Sequence, residues 1–441
     1  MTDVAVKTKD VTPQTSGAPK AADALEARLA ATSVPKDDFA AARKDALARL
    51  EKMGLPGARD EYWRYTDPKP FNAAEPQPIA IEGDGPDAPL FDDLDRLKLI
   101  FVDGAFDAAA SDDLALDGVE ISTLAQGAGW ADDLYGKLET AGQTPVARPF
   151  AALNTAVAGE GLLIRVTGKP SRPIHVIYRR KDETAEAVWH HVIRVEAGAE
   201  ATVLETGIAG ARSNGMIEVD LAEGARLHHI AARRAGPEAV GLSHLFARVA
   251  AEAQFKSFTL SVNGTVIRNE GVIEFTGDDA VAHIAAAVLG DGIRGAFHHD
   301  DTVFITHGAE RCESRQVFKK VLKNGAEGVF QGKILVKPGA QKTDGYQISQ
   351  ALLLDERSQF LAKPELEIYA DDVVCSHGST TGAIDEEAMF YLRSRGVPKD
   401  RAIVFLVLSF LADALQEVED ENLRDQINER LEAWLTRHAT P

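Results

Sequence analysis

A short phrase recurs through the middle of the chain: an apolar residue, small or acidic residues, then a residue that closes a corner. Val195-Glu-Ala-Gly-Ala199 is echoed by Leu221-Ala-Glu-Gly-Ala225, Val249-Ala-Ala-Glu-Ala253, Phe275-Thr-Gly-Asp-Asp279 and Val336-Lys-Pro-Gly-Ala340. The first steps are 26, 28 and 26 residues, and the last gap of 61 is close to two more. Between the phrases lie β-branched runs such as Leu162-Leu163-Ile164-Arg165-Val166, Ile174-His175-Val176-Ile177-Tyr178 and Val303-Phe304-Ile305. Strand, small-residue corner and strand at a fixed period is the sequence form of a β-solenoid, whose coils bury their apolar faces only by stacking on one another. A β-sandwich also has many short strands but imposes no constant period. The pattern predicts a mainly β fold, a β-helix core over residues 97–382.

Helical periodicity is confined to the two ends. Residues 21–96 form a helical region and linker. Pro35-Lys36-Asp37-Asp38 opens a helix with Phe39, Ala42, Ala46, Leu50 and Met53 on one face, stopped by Gly54 and Pro56. The aromatic cluster Glu61-Tyr62-Trp63-Arg64-Tyr65-Thr66 is expected to pin this region onto the core. Residues 383–441 form a C-terminal helical region. Asp385 caps a helix through Arg395, a second helix spans about 399–417, and a third spans about 420–436 with Leu423, Ile427, Leu431 and Trp434 on one face. The second is apolar nearly all round from Ile403 to Leu411, so it must be covered on several sides. Its Phe405, Leu408, Phe410 and Leu411 are candidates for contact with a partner.

Composition narrows the function. The 441 residues carry 68 acidic against 48 basic side chains, a formal charge of -20, which disfavours binding to nucleic acid or to anionic membranes. Residues 1–20 lack the apolar run of a signal peptide and read as a disordered tail. The most apolar stretch, Ala402–Leu411, is about half a bilayer span. With only two cysteines, Cys312 and Cys375, a disulfide framework or a four-cysteine metal site within one chain is excluded, and a reducing cytoplasm is expected.

Few motifs carry chemistry. Gly290-Asp-Gly292-Ile-Arg-Gly295 has dinucleotide-fingerprint spacing, but strand-like sequence follows where a helix is required. No Gly-Lys precedes Ser or Thr, so there is no Walker phosphate loop. His298, His299, Asp300 and His307 are the densest candidate metal ligands, and His298, Asp300 and His307 define an alternative reading as a metal-dependent solenoid enzyme. Cys312, among carboxylates, reads as structural. Segment 366–379 weighs most. Read as one strand, it puts Leu366, Ile368, Ala370 and Val374 on a core face and Glu367, Tyr369, Asp371, Cys375 and His377 on the other. Cys375 and His377 then stand about 7 Å apart, a thiol and an imidazole suited to iron or another soft metal but too few for a closed site. Spacing alone leaves open a packed Cys beside a hydrogen-bonded His, and with it a purely structural interaction subunit.

Lys363-Pro-Glu-Leu-Glu-Ile-Tyr-Ala-Asp-Asp-Val-Val-Cys-Ser-His-Gly378, with Gly382-Ala-Ile-Asp385 and Phe390-Tyr-Leu-Arg-Ser-Arg-Gly396, resembles the C-terminal signature of the SufD branch of the SufB/SufD family, scaffold subunits of the SUF iron–sulfur cluster assembly machinery. Gly332-Lys-Ile-Leu-Val336, Ala340-Gln-Lys-Thr343, Leu352-Leu-Leu354 and Glu61–Thr66 extend the likeness over about residues 20–436, with Ser379 standing where the family usually has Ala. The resemblance implies a right-handed parallel β-helix and a heterodimer with SufB. It implies that the C-terminal helices dock the ATPase SufC, so that ATP hydrolysis belongs to a partner and this chain is no enzyme. It further implies a transient iron–sulfur cluster at the SufB–SufD interface, with His377 as a ligand and Cys375 nearby. A reduced flavin is sometimes associated with the complex, and no cofactor is expected to stay on the isolated chain, for which a homodimer remains open.

Overall fold

The computed structural model describes residues 21–81, 89–234, 238–262, 264–294 and 296–438. The 1–20 tail expected from sequence lies outside them, as does Gly295. The described chain is a parallel β-solenoid with helices packed at both termini. Its strands form a ten-stranded and a nine-stranded sheet, and from Leu162 on successive strands alternate between the two. From Glu186 on, inner strands run eight to eleven residues and pair in parallel, as from Val240–Val249 to Val266–Phe275.

The corner phrase has a backbone cause. Six successive corners on one side of the solenoid each contain a left-handed residue: Gly198, Gly224, Glu252, Asp279, Arg311 and Lys342, with φ between 55° and 67°. A buried small residue follows each, namely Ala199, Ala225, Ala253, Ala280, Cys312 and Thr343. Glycine takes this conformation without strain, whereas acidic and basic residues occupy it at a cost. Cys312 thus fills a corner position in the coil that the 61-residue gap concealed.

Inward-facing Leu, Ile, Val and Phe side chains fill the lumen between the sheets, among them Ile164, Phe255, Phe275, Ile305, Phe318 and Phe330. Each sheet is also covered outside, which explains why the strands read as nearly continuous apolar runs. On the nine-stranded sheet lie the helices Ala21–Ala30 (α1), Ala40–Met53 (α2), Lys69–Asn72 (α3), Lys137–Gly142 (α4) and Pro149–Val157 (α5). Helix α2 begins where Asp37 Oδ1 accepts from Phe39 N, and buries Ala46 and Leu50 against α5. The wholly buried α5 lies inside the stretch where the sequence reading finds helical periodicity fading. Its Pro149-Phe-Ala-Ala-Leu is apolar all round and shows no stripe.

The outer face of the ten-stranded sheet is covered by Lys399–Leu415 and Glu421–His438, here α7 and α8, while Glu386–Ser394 (α6) packs against α7. Asp385 caps α6 through the N–H groups of Glu387 and Ala388, as expected. Helices α7 and α8 bury Val404, Val407, Leu411, Leu423, Ile427 and Leu431 against Phe258, Ala285 and Leu289 of the sheet. Ion pairs Lys319–Asp413 (2.7 Å) and Lys256–Glu419 (2.6 Å) border that contact. Among the described residues no helix is long and apolar enough to cross a membrane.

The two ends of the solenoid differ. At the N-terminal end short antiparallel strands, Ala105–Phe106 and Val119–Thr123, close the sheets. At the C-terminal end Gln359–Ile368 and Val373–Gly382 are each paired on one side only.

Candidate functional site at the open end of the solenoid

Segment 366–379 is not one strand. Gln359–Ile368 ends the nine-stranded sheet, the chain turns through 369–372, and Val373–Gly382 begins at the edge of the ten-stranded sheet. The turn resets the two-residue alternation, and a slip of one residue exchanges the faces. Val374, expected in the core, is 70% exposed. Cys375 instead turns inward against Ile334, Val336, Ala340, Leu366, Ala370 and Val373. Glu367 and Tyr369 therefore do not share a face with Cys375 and His377; they bond each other, and Glu367 pairs with Lys333.

Cys375 and His377 do share a face. In register, Cys375 lies opposite Gly345, His377 opposite Gln347, and Ser379 opposite Ser349. In inner coils this column points into the lumen; in the last coil His377 is exposed. Its imidazole has no hydrogen-bond partner among the described residues. The Cys375 thiol is half-buried, and burial raises its pKa; a backbone hydrogen bond from Gly345 opposes this and the charge of Asp344 adds to it. At neutral pH the site therefore offers an open imidazole beside a protonated thiol. That is an incomplete set for a soft metal, and it stands at an uncapped sheet end. Ile368 and Tyr369 add exposed apolar surface to the same rim.

The residues proposed for partner contact on α7 are mostly used internally. Leu411 is fully buried against the sheet, Leu408 is half-buried, and Phe410 lies under the Lys319 ammonium, 4.9 Å from its ring centre. Of the four, Phe405 is exposed. The larger apolar surface belongs to α6, which buries no residue and exposes Phe390 (73%) and Tyr391 (55%). The Phe390-Tyr391 pair on a polar helix is the sequence signal for that surface, and the more apolar α7 outweighs it on hydropathy alone.

His298, Asp300 and His307 do not assemble into a metal site. His298 and Asp300 face outward toward the N-terminal region, where both bond the Thr66 hydroxyl, at 2.9 and 2.6 Å. Asp300 is also paired with the buried Arg268. His307 points into the lumen, bonds Ser314 Oγ at 2.8 Å, and is held neutral by burial, its pKa lowered to about 3. No group of three or more His, Cys, Asp or Glu among the described residues could hold a metal ion. The Glu61–Thr66 cluster pins the N-terminal region as expected. Trp63 covers Arg268 at 4.4 Å, Tyr62 packs on Phe304, and its hydroxyl donates to Glu365 of the terminal strand.

Comparison with known proteins agrees with this architecture. Residues 178–410 match the family described as SUF system FeS cluster assembly, SufBD core domain. The iron-sulfur cluster assembly protein SufD of Escherichia coli is 31% identical over 401 residues, covering 87% of this chain and 90% of the relative. Protein ABCI7, chloroplastic, of Arabidopsis thaliana is 24% identical over 94% of this chain and 90% of its own length. SufD of Bacillus subtilis is 30% identical over 159 residues, 36% of each chain. A core-domain match across more than half the chain, a solenoid with helices at both termini, and a relative aligned nearly end to end place this chain in the SufD family of the SUF iron–sulfur cluster assembly system.

Proposed function

We propose that this chain is a non-catalytic scaffold subunit that pairs with SufB through the open end of its solenoid, docks SufC through its C-terminal helices, and supplies His377 to a nascent cluster at the shared interface. The observation that carries the reading is the asymmetry of the two ends. One end is closed by antiparallel strands, while the other presents two ten-residue strands with a free edge each, and His377 and Cys375 stand on it. A long unpaired edge is a template for another chain's strand, and natural folds cover or blunt edges that are not used. The two ligands that one chain provides are completed by those of the chain that pairs with it. Iron and sulfide are the cargo of this site. The exposed Phe390 and Tyr391 of α6 suit a second partner, because aromatic side chains at the centre of an interface supply much of its binding free energy. That partner hydrolyses ATP, for which this chain has no phosphate loop.

Co-expression with the SufB and SufC proteins of the same cell, followed by size-exclusion chromatography, tests the reading. The wild type elutes as a complex of the three chains. Val374→Arg, at an exposed position on the free edge, loses SufB but retains its own fold. A wild-type chain that elutes apart from both partners would overturn the proposal.

A further inference from the structure

Beneath His377 the lumen holds a column of polar side chains. Gln316, Gln347 and His377 occupy the same register position on three successive strands of the ten-stranded sheet. Strands in such a ladder are about 4.8 Å apart, so one side chain on each can bond the next along the column. Gln316 and Gln347 are both fully buried, and Gln347 Nε2 donates to Gln316 Oε1 at 3.0 Å. The amide lies over Gly332 of the opposite sheet, where even a Cβ would collide with it, so its place in the lumen is fixed from below and from across. Gln347 Oε1 is a buried acceptor with no partner among the described residues. An amide's oxygen and nitrogen diverge from Cδ. The nitrogen is taken by Gln316, so the oxygen is left free for a donor from the coil that carries His377.

An unmet buried acceptor and an imidazole without a partner, one strand apart in one column, complete each other. We propose that Gln347 is the positioning residue of His377: its Oε1 accepts the ring N–H, fixes which ring nitrogen carries the proton, and so presents the other nitrogen's lone pair outward at the open end. Metal-binding histidines are generally oriented in this way by an acceptor on the far ring nitrogen. Gln316 in turn holds Gln347. The inference deepens the proposed function and rests on its reading of His377 as a ligand.

The test is long-range nitrogen–proton correlation NMR of the full chain labelled at histidine, at pH 8, with the His377 signals assigned by their loss in His377→Ala. The wild type shows His377 predominantly as one neutral tautomer. Gln347→Met, which lacks the acceptor, shifts it to the tautomer mixture of a free imidazole, and Gln347→Glu, which keeps an acceptor there, retains one tautomer. A mixture in the wild type overturns the proposal whatever the variants do, as does a single tautomer in Gln347→Met. The readout needs no iron. If His377→Ala still supported cluster assembly, the ligand reading would fall while the tautomer result stood.

Discussion

Gly345 lies directly opposite Cys375 in the last rung of the ten-stranded sheet, and a Cβ at Gly345 would stand 3.2 Å from the Cys375 sulfur. The glycine makes room for the thiol to turn inward over the lumen. Burial there keeps the thiol protonated, since removing a thiolate from water costs free energy. Alkylation of Cys375 in the isolated chain should therefore be slower at pH 7.5 than that of a free thiol and should keep rising past pH 9. Cys312, almost fully buried at its corner, should react only on unfolding. Peptide mass spectrometry after iodoacetamide treatment over a pH series measures both rates. Fast, pH-independent labelling of Cys375 would contradict its placement.

Arg268 is the centre of the N-terminal docking. It is buried, bonds Glu270 and Asp300, and stacks on Trp63. Arg268→Met would leave the buried Asp300 without its cation and Glu270 with only Arg148 and His244, a loss of about 3–5 kcal/mol for a broken buried pair. Its urea midpoint should fall accordingly, and limited proteolysis should cut first within residues 54–74, the segment that Trp63 and Thr66 no longer anchor.

Acid should destabilise the fold in two stages. Burial lowers the pKa of His175 and His307 to about 3 and of His228 to about 4. Below about pH 6.5 the unfolded chain binds these protons and the folded chain does not, so stability falls by about 1.4 kcal/mol per pH unit for each until the folded pKa is reached. The second stage comes from Glu270 and Asp301. Burial alone would raise their pKa values, but Arg268 beside the first and Lys320 beside the second hold them well below the usual range. Their stabilisation is present above about pH 4 and is lost as pH falls further. Urea titrations between pH 7 and 4 should show the first slope, and His307→Gln should reduce it by about one proton. An unchanged slope would contradict the buried, neutral His307.

The two apolar surfaces of the C-terminal helices should separate stability from partner binding. Leu411→Ala removes a fully buried side chain and should cost about 2–5 kcal/mol. Phe390→Asp changes an exposed residue and should leave the isolated chain within about 0.5 kcal/mol of wild type. Under the proposed docking it should also abolish co-elution with the ATPase. Thermal unfolding and size-exclusion chromatography of both variants check this pair.

The solenoid was legible because its corners impose a local rule. A left-handed residue and a small buried one recur at six successive corners between Val195 and Thr343, and Gly198-Ala199 and Gly224-Ala225 write that rule plainly. At Arg311-Cys312 the same geometry is built from residues with no turn signature, which is why one coil read as a gap. Helix capping by Asp385 was equally local. The face assignment in 366–379 failed because the turn at 369–372 uses Tyr369 and Ala370, which read as strand, so the alternation was carried through it. Cys375 and His377 stayed together because they lie after the turn, on one strand. Gln316 and Gln347 could not be found from sequence at all, since their relation to His377 is one of register between coils about 30 residues apart.

The most direct test of the central claim is anaerobic reconstitution of the complex with iron and sulfide, wild type beside His377→Ala, followed by visible absorbance and iron content. The account predicts that both variants assemble with their partners and that only the wild type gains iron–sulfur absorbance. Equal absorbance and iron in His377→Ala would contradict it.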